Sequence, residues 1–458
     1  MNRRHIIGWL SLLIILSMII TGCAKETATP QPESTSLPEA TSPPEATSPP
    51  EAKPTTPTEE EVVEITYFEH FSTEFGDEWF NKIIANFEAQ HPNIKVNRIS
   101  KPWGELWPSL TAWAQSEEMP DVFATHGAWL AILSEWNALY DLREVIEENA
   151  DDEYIENTGA MGPYYYGTYK GEVNGATWGY FVYGLFYNVE FFEENNIELP
   201  GTWDEFEELL RDLRDEKDMY GISLVWSLPE GYSHFPYLQW GWWVTGAGGK
   251  VYDENNEPAF NTPEGKSGLE YWKRLYDDDL ISPNAEAMTV QQARGDFCSG
   301  KVPFIIDGPW IKGTCESLGG EFTVAMMPPI CGEETCGSPV TFQYLSVGAN
   351  SEHPEAAFEF IKYMQSDEVT IDWGKTFGMS TANMAYYELP ETKEDPVLGM
   401  IPEIAADKDN MMIPAITNKD AIDTMILEEW QSILLEDKSI DDAIADMESQ
   451  WLELMTEF

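Results

Sequence analysis

Glu64–Phe123 reads EITYFEHFSTEFGDEWFNKIIANFEAQHPNIKVNRISKPWGELWPSLTAWAQSEEMPDVF, and the spacing of its apolar residues changes period repeatedly. Glu64-Ile-Thr-Tyr-Phe68 is a short β-like run, followed by a polar loop from His70 to Asp77. Trp79, Phe80, Ile83, Ile84 and Phe87 then recur at helical spacing, which puts them on one face of a helix. His91-Pro92 stops that helix, because proline disfavours helical backbone in the residue before it. Ile94 to Ile99 alternates as a second strand, a helix follows over about Gly104–Gln115, and Met119-Pro-Asp-Val-Phe123 reads as a third strand. A βαβαβ order of this kind predicts a parallel sheet with helices on its faces.

The alternation continues downstream. Gly179–Asn188 is an aromatic-rich strand, and Pro200-Gly-Thr-Trp-Asp-Glu-Phe206 opens a helix in which Thr202 and Glu205 form a capping box. Tyr271, Trp272, Leu275 and Tyr276 are helical, as is Gln291–Ser299. Val302–Ile306 is a buried strand ending in Asp307-Gly-Pro-Trp310. Further helices are expected over Pro354–Gln365, Asp420–Leu435 and the C-terminal end of the chain. The fold class is α/β.

Upstream, the chain has no capacity for a core. Arg3, Arg4 and His5 precede the apolar run Ile6–Ile20, which is shorter than the roughly 20 residues of a membrane span and reads as a signal for export. Ile20-Thr-Gly-Cys23 resembles the bacterial lipobox, which implies cleavage before Cys23, lipidation of its sulfur and attachment at the extracytoplasmic face of the cell membrane. Residues 23–61, in which Pro-Glu-Ala-Thr-Ser-Pro recurs, form a solvated spacer; at about 3.1 Å per residue its reach is on the order of 100 Å.

Formal charge is −55, of which the spacer and leader account for little, leaving about −50 on the body. Such a surface repels nucleic acid and anionic membranes and is read as a solubilising face. Cys298, Cys315, Cys331 and Cys336 can pair in three ways in an oxidising compartment. The short Cys331-Gly-Glu-Glu-Thr-Cys336 spacing suggests a local bridge and leaves Cys298 with Cys315. These spacings lack paired Cys-x2-Cys units and have no nearby His, so no metal or other cofactor is expected.

The ordered series Phe87–Val96, Met119–Val122, Leu185–Phe192, Pro200–Phe206, Ala247–Gly249, Phe260–Glu264, Phe297–Lys301, Asp307–Trp310 and Asn350–Lys362 resembles the extracellular solute-binding proteins of ATP-binding-cassette sugar importers, the family that includes the maltose-binding protein. The resemblance implies a two-lobed periplasmic-binding-protein-like fold of type II with hinge crossings near Phe181–Tyr187, Thr341–Leu345 and Tyr386–Pro396. It divides the chain into one lobe at 62–180 and 345–390 and another at 181–344 and 391–458. It also implies a carbohydrate ligand, permease membrane subunits as partners and a monomeric state. Gly378-Met-Ser380 departs from the family's usual Gly-Leu-Pro-Ala and weakens the third crossing.

Sugars present an apolar ring face and a rim of hydroxyls, so a site needs aromatic faces with amides and charged groups beside them. The family placement makes Trp310 the main stacking candidate, with Asp307 as a hydroxyl acceptor. His70 and Phe71 in the first loop, Lys101 and Trp103 in the second, and His126 within Thr125–Trp129 in the third are further candidates. Tyr183 in a crossing strand completes the set, with Tyr237 and Trp240 in the aromatic stretch 232–243. Two rival readings are a glycan hydrolase and a binding or sensor protein for another small polar solute. A hydrolase needs two placed carboxylates. With 81 acidic residues, the sequence singles out no pair, and it shows no nucleophile, metalloprotease or phosphate-loop motif in a supporting context.

Overall fold

A computed structural model describes residues 62–151, 154, 166–227, 234–407, 409–412 and 416–456. The expected signal segment, the lipidation site Cys23 and the spacer to residue 61 lie outside the described residues.

The opening stretch folds as its periods require. Strands β1 (Val63–Glu69) and β2 (Ile94–Ser100) pair in parallel from Val63 opposite Ile94 to Glu69 opposite Ser100. Strand β3 (Val122–His126) runs parallel to β1 on its other side. Between them lie α1 (Asp77–Gln90) and α2 (Trp103–Ser116). In α1, Asp77 and Glu78 complement the helix dipole, and Trp79, Phe80, Ile83 and Phe87 are buried. Each such side chain contributes roughly 1.5–3 kcal/mol.

The sheet grows by β4 (Tyr166–Tyr169), β5 (Glu172–Val182), β9 (Pro339–Val347) and the short β10 (Met411–Met412). Its order is β2-β1-β3-β9-β5-β4, with β10 alongside β9. A smaller sheet, ordered β7-β6-β8, contains β6 (Gly184–Asn188), β7 (Phe304–Asp307) and β8 (Val324–Met326).

The expected single strand Gly179–Asn188 is therefore two. Its first part ends β5 in the larger sheet, and Tyr183 alone carries the chain to β6 in the smaller. The return passage falls between β8 and β9, at 327–338; β9 lies wholly in the larger sheet, so the boundary expected at 345 falls inside a strand. In the third expected crossing the chain forms the short helical turns Met384–Glu388 and Pro390–Lys393, and the Pro396 carbonyl accepts from Met326 N–H at 3.0 Å on β8.

Side-chain alternation assigns both faces of each sheet. Ile65, Tyr67 and Val122 join one core with α1, α9 (Pro354–Gln365) and α10 (Asp367–Phe377), whereas Phe68 and Phe123 face a second core. That second core also takes Phe186 and Ile305 of the smaller sheet, together with Ile311 on α8 (Ile311–Ser317) and Phe297 on α7 (Val290–Cys298). Leu185, Phe304 and Ile306 point the other way, into a third core built with α4 (Trp203–Lys217), α5 (His234–Gly246), α6 (Pro263–Asp277), α11 (Lys419–Leu434) and α12 (Ile440–Met455). A further helix, α3 (Gly127–Glu135), follows β3 directly. Among the described residues no helix is long and apolar enough to cross a membrane.

The capping box at the start of α4 is present: Glu205 N–H donates to Thr202 Oγ1 at 3.2 Å, and Thr202 N–H donates to the Glu205 carboxylate at 3.2 Å. Cys298 pairs with Cys315, tying α7 to α8, and Cys331 pairs with Cys336. The first bridge closes a loop of 17 residues between two buried sulfurs. Replacing both Cys298 and Cys315 by serine is expected to cost about 3 kcal/mol, read as a lower denaturant midpoint. An unchanged midpoint would show that the α7–α8 packing suffices without it.

Candidate functional site

His70 follows β1 and His126 ends β3, so both stand at the carboxyl ends of parallel strands, where open α/β sheets place ligands. The neighbouring β9 brings Gln343 and Thr341 to the same side. The Gln343 side-chain nitrogen lies 3.0 Å from His70 Nε2, and Thr341 Oγ1 lies 3.3 Å from His126 Nε2. Gln343 Oε1 is buried with no hydrogen-bond partner among the described residues. Trp103 sets its ring edge against both imidazoles, with centroids 4.9 Å from His70 and 6.0 Å from His126.

Lys419, the first residue of α11, is buried with Asp423 as an i, i+4 ion pair. Burial, together with the charges of Lys419 and His70, lowers the His126 imidazole from 6.5 to about 4. Burial raises the carboxyls of Asp423 and Asp420, against the pull of Lys419. The folded state thus holds His126 neutral where the unfolded chain would protonate it. Its contribution to stability is complete above pH 6.5 and is lost as pH falls from 6.5 toward 4. Raised carboxyls have the opposite sign, so the informative quantity is the difference between wild type and His126→Asn. That difference is expected to shrink on acidification through this window, measured by urea midpoints; a constant difference would contradict it.

Trp310 lies just past the end of β7. Its indole packs edge-on to Phe181 at 5.5 Å and to Tyr183 at 5.7 Å, and it touches two of the three cores. The ring folds back over Gly308 so closely that a Cβ there would lie 2.3 Å from it, which explains the glycine in Asp307-Gly-Pro-Trp310. Asp307 holds it there. Its Oδ1 accepts from Trp310 Nε1 at 2.6 Å, Gly308 N–H at 2.8 Å and Arg294 Nη2 at 2.9 Å, while Oδ2 accepts from Arg294 Nε at 2.6 Å.

The expectation that Asp307 receives a sugar hydroxyl is therefore revised. Its carboxylate is 1% exposed and engaged by Arg294 and Trp310, so it positions the indole. Two other candidates are core residues. Phe71 is buried against Trp178 and Trp373, with the His70 ring resting on it. Trp240 is buried against Phe260, and its N–H donates to the Gly265 carbonyl at 2.9 Å. Tyr237 falls on α5, but its side chain lies outside the described residues. Lys101 donates to Ser109 and lies over the Trp113 ring.

Arg294, Gln343 and Lys419 were missing from the sequence-based set. A buried glutamine in the apolar run Val340–Val347 is the signal that could have marked Gln343; nothing local marks Lys419. Among the described residues no cluster of His, Cys, Asp and Glu is arranged to hold a metal ion.

Known proteins share this architecture. Residues 82–399 match the model of the bacterial extracellular solute-binding protein family. The chain is 25% identical over 328 residues to a maltotriose-binding protein of Pyrococcus abyssi, a match covering 70% of this chain and 66% of that relative, just under two thirds of its length. It is 24% identical over 329 residues to a multiple sugar-binding protein of Streptococcus mutans, covering 67% of this chain and 72% of the other. A cyclic α-maltosyl-1,6-maltose binding protein of Arthrobacter globiformis has a similar structure, with a TM-score of 0.73 at 22% identity, covering 87% of this chain and 100% of that one. A solute-binding protein of Thermotoga lettingae bound with α-D-tagatose superposes with a TM-score of 0.71 at 21% identity, covering 86% of this chain and 100% of that one. With two sheets joined through Tyr183 and the matched span running from α1 to beyond α10, this chain belongs to the bacterial extracellular solute-binding protein family.

Proposed function

We propose that the protein captures a sugar or short oligosaccharide between a lobe on the larger sheet and a lobe on the smaller one. It would then deliver the ligand to the membrane subunits of an ATP-binding-cassette importer. The observation that carries this reading is Trp310: its indole is locked by Asp307 and Gly308 at the junction of two cores, facing Phe181 and Tyr183. A half-buried, pre-oriented indole offers an apolar face to a sugar ring at little entropic cost. Gln343, with its unpartnered Oε1, and His126 supply the hydroxyl-binding groups.

The relatives named for maltotriose and for multiple sugars support a carbohydrate ligand. Closure buries the ligand, and the closed form docks on the permease as a monomer without chemical turnover. In the cell, lipidated Cys23 and the spacer hold the body at the extracytoplasmic face of the membrane. A thermal-shift screen against mono- and oligosaccharides, polyols and amino acids tests the ligand class. A carbohydrate is expected to raise the melting temperature, and a response confined to non-carbohydrate solutes would overturn the sugar reading.

A further inference from the structure

The return passage between the two sheets, residues 327–338, contains the Cys331–Cys336 disulfide. Its loop is stitched to helices of the third core. Cys331 N–H donates to the Gly201 carbonyl at 2.9 Å, and Trp203 N–H donates to the Cys331 carbonyl at 3.2 Å, so the loop lies along the entry to α4. Glu334 and Thr335 N–H both donate to the Gly246 carbonyl, at 3.0 and 3.1 Å, which holds the loop to the end of α5. Gly332 and Gly246 meet backbone to backbone: a Cβ on Gly332 would lie 2.2 Å from the Gly246 carbonyl carbon.

Just beyond the loop the chain enters a different set of contacts. Ser338 N–H donates to Asn410 Oδ1 at 3.0 Å, the Ser338 carbonyl accepts from Met411 N–H at 2.9 Å, and the Pro339 carbonyl accepts from Tyr183 N–H at 2.8 Å. Because Tyr183 is the single residue between β5 and β6, these bonds knit both passages between the sheets to each other and to β10. A Cβ on Gly337 would lie 1.9 Å from the Asp409 carbonyl oxygen, so the backbones touch here as well. Only Cys336 and Gly337 lie between the two stitched parts, and among the described residues neither makes a backbone–backbone hydrogen bond. What ties Cys336 to the third-core helices is its bond to Cys331.

When one lobe rotates on another, a few loop residues absorb the change in φ and ψ. The return passage offers Cys336 and Gly337 for this, and the disulfide restricts the first of them. We propose that the Cys331–Cys336 bridge limits the rotation of one lobe on the other, and that its reduction by a dithiol loosens the hinge. Access favours this bridge over the other: Cys336 is exposed and Cys331 half-buried, whereas Cys298 and Cys315 are 4% and 2% exposed. A thiolate of the reductant attacks Cys336 Sγ, breaking the Sγ–Sγ bond and releasing the Cys331 sulfur, which takes a proton. The second thiol of the reductant attacks its partner sulfur in the mixed disulfide, closing a cyclic disulfide and releasing Cys336 as a thiol. Two electrons and two protons pass to the protein. The proposal rests on two lobes that move and not on the identity of the ligand, so its test needs none.

The test compares the oxidised chain, the chain treated with dithiothreitol under native conditions, and the double variant Cys331→Ser, Cys336→Ser. Mass mapping of the treated chain after alkylation is expected to find Cys331 and Cys336 labelled and the Cys298–Cys315 bridge intact. Amide hydrogen exchange at Tyr183, Ser338 and Met411 should quicken about fivefold in both the reduced chain and the variant, the scale set by freeing the backbone of one residue. Small-angle X-ray scattering without ligand should give both a larger radius of gyration. Their melting temperatures should fall by only a few degrees, because the bonds to Gly201 and Gly246 remain. Faster exchange confined to residues 331–336, with hinge amides and radius unchanged, would make the bridge a local staple and overturn the proposal. Loss of the Cys298–Cys315 bridge before the other would overturn the redox assignment. A wild type that binds no sugar yet shows these changes fails the carbohydrate reading and leaves the hinge assignment standing.

Discussion

Replacing Trp310 by alanine is expected to weaken ligand binding more than tenfold while leaving the melting temperature of the unliganded protein lowered by only a few degrees. Both parts follow from where the indole sits. It is half-buried at the seam of two cores, so its loss removes limited packing within either. As a rigid, fully oriented ring it has the features of a binding hot spot, whose truncation typically costs 2 kcal/mol or more. Titration followed by calorimetry measures the effect directly. Unchanged affinity in a folded Trp310→Ala protein would exclude the indole as a ligand contact.

The second large effect is expected at Arg294, whose guanidinium pairs with Asp307, the anchor of the Trp310 indole. Arg294→Ala leaves Asp307 as a buried, unpaired carboxylate, and breaking such a pair costs about 3–5 kcal/mol. It also frees the anchor of the Trp310 N–H. Arg294→Lys retains charge but loses the two-pronged contact made by Nε and Nη2, and is expected to recover only part of either property. Stability and positioning separate in the double variant Arg294→Met, Asp307→Leu. Replacing both ions by apolar groups of similar bulk restores much of the stability. Affinity should stay low, because nothing then holds the indole over Gly308. Equilibrium unfolding and ligand titration on the same samples read both, and wild-type affinity in the double variant would contradict the positioning role.

The sequence was most legible where period and burial coincide. The alternation of Ile94 and Val96 and the helical spacing of Trp79 to Phe87 correspond to β2 and α1 because these residues share one face that meets a core, while Ile99 on the other face of β2 packs against a second core. Gly179–Asn188 misled for the opposite reason. Both of its faces are buried, so no change of period marks Tyr183, where the chain leaves one sheet for the other. Residue type also failed to separate the seam between cores from the core interior among the aromatics. Trp240 and Trp310 are the same residue in similar aromatic surroundings. What differs is the N–H partner, a backbone carbonyl for one and an anchored carboxylate at a seam for the other. Arg294 and Lys419 were illegible because their roles depend on elements distant in sequence: Arg294 through the end of β7, and Lys419 through its charge on His126, which ends β3.

Isothermal titration of the purified chain with the oligosaccharide selected by the thermal-shift screen, followed by chromatography of the recovered sugar, tests the central claim most directly. The expected result is saturable one-to-one binding, abolished or strongly weakened in Trp310→Ala, with the sugar recovered intact. Absence of binding by any carbohydrate, or recovery of shorter sugars in proportion to protein and time, would contradict it.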